Sequence, residues 1–87
     1  MADMKAAFEQ AQKDVKTLKK PPTNDDMLFL YSHYKQANSG DAKGDRPGML
    51  DMVGRAKYDA WSKLKGLKTD DAMKKYVDKV ASLMARK

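Results

Sequence analysis

Apolar residues recur every three or four positions along most of this chain, the spacing of one helical face. Met4, Phe8, Ala11, Val15 and Leu18 form the first stripe. Lys19, Lys20, Pro21 and Pro22 close it. Lysines suit the negative end of the helix dipole, and prolines cannot continue the hydrogen-bond ladder. The second stripe begins after Thr23, an N-cap residue, with Asp26 three positions on to complete a variant capping box. Met27, Leu30, Tyr34 and Ala37 are its main line, with Tyr31 at the margin and Phe29 and His33 on another side. A helix apolar on two sides is expected to pack between neighbours. Gly40 is the expected left-handed terminator.

The third helix is expected over Gly54 to Leu64, with Val53, Ala56, Ala60, Trp61 and Leu64 as its stripe and Gly66 as its stop. The fourth starts at Thr69, an N-cap followed by Asp70 and Asp71 at the positive end of the dipole. Met73, Tyr76, Val77, Val80, Leu83 and Met84 line it. Between the second and third lies "DAKGDRPGMLDM", long for a connection and able to cross the end of a bundle. Met49, Leu50 and Met52 suggest that this loop packs inward. With no strand alternation and no repeat, the expectation is an all-α chain: four helices in one domain spanning residues 1–87.

Composition narrows the chemistry. Hydrophobic residues at 41% and charged residues at 34% describe a globular chain. Cys is absent and His33 is the single histidine, which removes thiolate metal sites and paired imidazoles. An enzyme is not expected, because the side chains usual in acid–base catalysis are sparse. The net charge of +6, from 18 basic and 12 acidic side chains, favours an anionic partner. The basic residues are spread along the chain, so no polybasic arm stands out. No apolar run approaches the length of a membrane span, and "MADMKAAFEQ" has no signal-peptide core. A cytoplasmic location is expected.

Against this background a few residues stand out. Lys57 falls inside the apolar stripe of the third helix, where a cation must reach water, pair with an acid or meet an external anion. Tyr31, Tyr34 and Lys35 are helical neighbours on the second helix, and Tyr76 edges the last stripe. Each has an ordinary reading as a half-buried ring or a solvated stem. If the three helices converge, they build instead a greasy floor with a cationic, aromatic rim. Such a surface suits an amphipathic anion carrying an aromatic base: lysines on phosphates, rings on the base, the floor on an alkyl chain. His33 faces Phe29 one turn away and reads as a packing residue. "GDAKGD" lacks the spacing of a phosphate-binding loop.

These residues also carry a resemblance. "PTNDDMLFLYSHYKQANSG" closely resembles the signature of the acyl-CoA-binding protein family, and "RPGMLDM", "GRAKYDAWSKLKG" and "DAMKKYVDKV" continue it in order. The resemblance implies an up-down-down-up four-helix bundle with the long loop as an overhand connection between helices two and three. It implies a shallow bowl that binds long-chain acyl-CoA one-to-one, in a monomer. The residues matching the family's head-group contacts are Tyr31, Lys35, Lys57 and Tyr76, with Lys16 also placed at the ligand. Ser32, His33 and Tyr34 belong to the same matched ligand-binding stretch, with more of a packing role expected. Gln12, Met27, Leu28 and Ala56 are the expected neighbours of the acyl chain. Gln12 stands where a small residue is usual, so chain-length preference is open to change. Asn38 replaces a small residue, and Tyr58 stands where many relatives carry Trp.

The implied role is an intracellular carrier and pool former for acyl-CoA, with no cofactor, no nucleic acid and no stable membrane insertion. One rival class is a small basic helical module binding nucleic acid or an acidic protein, suggested by the charge and by Trp61 among lysines. Another is a peripheral membrane binder that uses the amphipathic last helix.

Overall fold

A computed structural model of the chain describes residues 4–85. Four helices follow one another, α1 (Met4–Val15), α2 (Asn24–Ser39), α3 (Met52–Ser62) and α4 (Thr69–Ala85), with no strand among the described residues. Their ends follow from local chemistry. α1 stops at Val15, short of Leu18, and its end tightens into turns in which Lys16 N–H donates to Lys13 O and Thr17 N–H to Asp14 O. Leu18 still packs on the core from beyond the helix. At α2 both halves of the capping box form: Asp26 N–H donates to the Thr23 hydroxyl and Thr23 N–H to Asp26 Oδ2. Gly40, at φ 76°, ends α2 with its N–H on Gln36 O.

α3 begins at Met52, two residues before the expected start, because the Asp51 carboxylate accepts Gly54 N–H at 2.9 Å. The bare Gly54 leaves room for that carboxylate, which a Cβ there would force to shift. Thr69, expected as the cap of α4, is its first residue, and Ala72 N–H bonds to Lys68 O.

α4 packs on both α1 and α2, and α3 packs on α2. Contacts along each seam give the directions. Phe8 meets Tyr76, while Thr17 and Leu18 share a cavity with Leu83 and Met84, so α1 and α4 run parallel. Asp26 at the start of α2 pairs with Lys79 late in α4, and Gln36 near its end bonds Leu67, so these two run antiparallel. Lys57 stands over Tyr31 and Lys35 over Trp61, so α2 and α3 are parallel. The result is the expected up-down-down-up bundle. Phe8, Ala11, Leu30, Ala37, Ala72, Tyr76, Val80 and Leu83 form its core.

The overhand loop differs from expectation. Met49, Leu50 and Met52 are 81%, 101% and 77% exposed, not packed inward, and Val53 is also exposed. The loop is held by polar bonds instead. Arg46 makes a two-pronged pair with Asp59, and the Tyr58 hydroxyl donates to Gly44 O. Both anchors lie upstream of Met49, so the apolar residues that follow are left on the rim where α3 begins.

A second polar lock joins the far end. Gln36 is fully buried, and its amide nitrogen donates to Leu67 O at 2.8 Å and Asp41 Oδ1 at 2.9 Å. Asp41 also accepts Gly66 N–H, and these two bonds, the glycine's first, hold its carboxyl below the usual range.

Candidate functional site

The candidate surface is built on one side of α2. Met27, Tyr31 and Tyr34 are spaced four and three apart, so they share a helical face. Met27 and Tyr34 are exposed and Tyr31 is half-buried. Along the parallel α3, Val53 and Lys57 are likewise one turn apart, and both are exposed with Ala56 beside them. Lys57 Nζ lies 5.3 Å from the centre of the Tyr31 ring. The two helices therefore run as paired rails, apolar at their N-terminal ends and carrying a ring and a cation one turn further on.

Lys35 sits on the same seam. Its Nζ is 4.9 Å from the Trp61 ring, and the Trp61 indole N–H is pinned to Gly40 O at 2.8 Å. Tyr58 meets Trp61 edge-on. Exposed cation–π contacts contribute about 0.5–1 kcal/mol, whereas a hydrogen bond to a charged group contributes about 1.5–3 kcal/mol. An arriving phosphate therefore outcompetes the rings for either ammonium. Both lysines rest on aromatic faces at low cost and remain available to an anion.

The other flank is closed by aromatics from three helices. Phe8 of α1 contacts Tyr76 of α4 edge-on at 5.0 Å and leans against Tyr34 at 6.0 Å. Tyr76 is buried, and that burial together with the nearby Tyr34 pushes its phenol above the usual range. It is chiefly a wall of the core, within electrostatic reach of Tyr34.

The remaining expected residues are distributed differently. Leu28 is half-buried and faces a cavity on the reverse of α2 rather than the Tyr31 side. Ser32 and His33 are buried and line that same cavity. Ser32 Oγ donates to Phe29 O, and the His33 ring stacks on Phe29 while its Nδ1 lies 2.7 Å from Phe29 O. They pack α2 rather than joining the Tyr31–Lys57 group. Gln12, one turn after Phe8, donates to Phe8 O at 3.3 Å. Lys16 is exposed in the turn after α1, and no described contact ties it to the other candidates.

The sequence reading placed Trp61 in the α3 stripe without pairing it to Lys35. Spacing held the signal: Trp61 follows Lys57 by one turn, as Lys35 follows Tyr31. Among the described residues no group of three His, Asp or Glu could hold a metal ion. No described helix is long and apolar enough to cross a membrane.

Comparison with known proteins bears on this geometry. A family model described as acyl-CoA-binding protein matches residues 5–80. The chain is 51% identical over 79 residues to an acyl-CoA-binding protein homolog of Manduca sexta, covering 90% of this chain and 88% of that protein. It is 48% identical over 83 residues to acyl-CoA-binding protein homolog 1 of Caenorhabditis elegans, covering 95% of this chain and 96% of that one. Its fold is similar to the crystal structure of Oryza sativa acyl-CoA-binding protein 2, with a TM-score of 0.88, 37% identity, and 93% and 88% of the two chains covered.

Proposed function

The chain belongs to the acyl-CoA-binding protein family, and on that premise we propose that it binds long-chain acyl-CoA one-to-one and carries it as a cytoplasmic monomer. The observation that most supports this reading is Lys57 of α3 set over Tyr31 of α2, at the head of two exposed apolar rails. Lys57 and Lys35 would take the phosphates, and Tyr31 would stack on the base. Met27, Val53 and Ala56 would cover the acyl chain.

The mechanism is sequestration. Burying about fourteen methylenes at roughly 0.8 kcal/mol each supplies at most about 11 kcal/mol before ordering costs. That term is shared by a free fatty acid, so it cannot select a coenzyme ester. Selection rests on the charge-assisted contacts of Lys35 and Lys57 and on base stacking. No cofactor is needed, since the thioester is held and released unchanged. The reading as a nucleic-acid or acidic-protein module in place of a carrier is not favoured, because the likeness to acyl-CoA-binding proteins spans most of the chain.

Titration calorimetry with palmitoyl-CoA, palmitate and CoA tests the proposal. Palmitoyl-CoA is expected to bind far more tightly than either part. Palmitate binding as tightly as the ester would remove the head-group assignment.

A further inference from the structure

The reverse flank of α2 carries a second concave surface, a groove of about 820 Å³ whose lining includes none of Tyr31, Lys35 and Lys57. Its floor is apolar, from Leu28 and Phe29 of α2 and Leu64 and Leu67 beyond α3. Lys63, Lys65 and Lys75 stand on its rim, against a single carboxylate, Asp25. None of these lysines forms a salt bridge among the described residues. Two acids within electrostatic reach of them are already engaged: Asp59, which feels Lys63, is held by Arg46, and Asp41, which feels Lys65, accepts from Gln36 and Gly66.

The charges are also ordered along the groove. Asp25 lies in the first turn of α2, while Leu67 lies beside Gln36 in its last turns. Lys63 and Lys65 therefore sit at the end opposite Asp25, with Lys75 near His33 between them. A helix laid in this groove would set its positive N-terminal end by Asp25 and its negative C-terminal end by the lysines. Apolar residues three and four apart on that helix would meet Leu28, Phe29, Leu64 and Leu67.

We propose that this groove docks an acidic amphipathic helix of a partner protein, running parallel to α2 and on the opposite side of α2 from Tyr31 and Lys57. The docking face is additional to the carrier site, so a loaded carrier remains free to engage its partner. The fit rests on apolar area for affinity and on lysines for orientation and rate of encounter.

The test is an NMR titration of the labelled chain, with and without palmitoyl-CoA, using a synthetic helical peptide of Leu, Ala and Glu. Amide shifts are expected at Phe29, Ser32, Leu64 and Leu67, weakening as salt rises. The combined substitution Lys63→Glu, Lys65→Glu and Lys75→Glu should weaken peptide binding at least about tenfold through like-charge repulsion. The same variant should keep its circular dichroism and, at a salt concentration that screens distant charges, its palmitoyl-CoA affinity, since all three side chains are exposed and away from the Tyr31–Lys57 face. Four results would overturn the proposal: no shifts at millimolar peptide, equal shifts from a peptide with Lys in place of Glu, shifts confined to Tyr31 and Lys57, or phosphatidylserine vesicles perturbing these amides where the peptide does not. Loss of palmitoyl-CoA binding in the unsubstituted chain would instead count against the carrier site alone.

Discussion

The two flanks of α2 are made from interleaved residues and do opposite things. On one, Met27, Tyr31 and Tyr34 leave rings and thioether in reach of solvent, with Lys57 poised across the seam. On the other, Asp26, Ser32, His33 and Gln36 are buried although all four are polar. Each of the four side chains has at least one partner, although the Gln36 side-chain oxygen has none: Asp26 meets Lys79 at 2.6 Å, Ser32 and His33 reach Phe29 O, and the Gln36 amide nitrogen reaches Leu67 O. The open side keeps its interactions weak and exchangeable, as a binding face must. The closed side ties its polar groups, including the Ser32 and His33 that line the second groove, into bonds that fix the helix at one register, so that the open side stays in place.

If that contrast is right, substitutions on the closed side should cost stability and those on the open side should cost binding. The largest effect is expected at Gln36. Gln36→Ala leaves the Leu67 carbonyl without its donor and opens a void at a fully buried position. A loss of about 3 kcal/mol in unfolding free energy is expected, a fall of roughly 15 °C in Tm for a domain of this size. Palmitoyl-CoA affinity, measured well below the new Tm, should remain close to that of the parent. Thermal denaturation that left Tm within a degree or two would show that the buried amide is not a lock.

Lys57→Ala reverses the pattern. The side chain is exposed, so unfolding free energy should change by no more than about 0.5 kcal/mol. Removing one charge-assisted contact to phosphate should weaken palmitoyl-CoA binding by about 2 kcal/mol, roughly thirtyfold. Calorimetry beside a thermal melt separates the two. A large drop in Tm with unchanged affinity would make Lys57 a structural stem.

How legible this was in the sequence depended on how local the controlling interaction is. Four helices, the capping box at Thr23 and the glycine stop at Gly40 follow from residues within a turn of each other. Lys57 was legible because a cation inside an apolar stripe violates its own helix's pattern. The loop was misread because Met49, Leu50 and Met52 carry no local sign of facing solvent. The contacts that do hold the loop join residues far apart in the chain, as in the pair Arg46–Asp59, whose partners lie thirteen residues apart. Buried Gln36 was invisible for the same reason, since its acceptor Leu67 is thirty-one residues away. Ser32 and His33 came into the candidate set with their matched stretch, and only the helix's orientation shows that they face the other way.

The smallest expected effect lies with His33 and tests the closed side by pH. Burial, the largest influence, drives its imidazole below the ordinary value of 6.5; the bond to Phe29 O opposes this, and Lys75 adds to the depression. Nδ1 must carry the proton to donate to Phe29 O, which leaves Nε2 to take up the second one in acid. The folded state thus binds a proton less readily than the unfolded chain. Stability from this group is complete above pH 6.5 and is lost as pH falls through the depressed folded value. Melts of the parent from about pH 8 to about pH 5 should show a decline whose slope is bounded by one proton per molecule. His33→Gln cannot gain that charge, so its decline over the same interval should be shallower by the imidazole's share. What matters is the difference between the two slopes, since a packing change alone would shift both ends of the variant's curve equally. Parallel curves would mean that His33 is solvated well enough to titrate alike in both states, and the closed flank would be less closed than its burial implies.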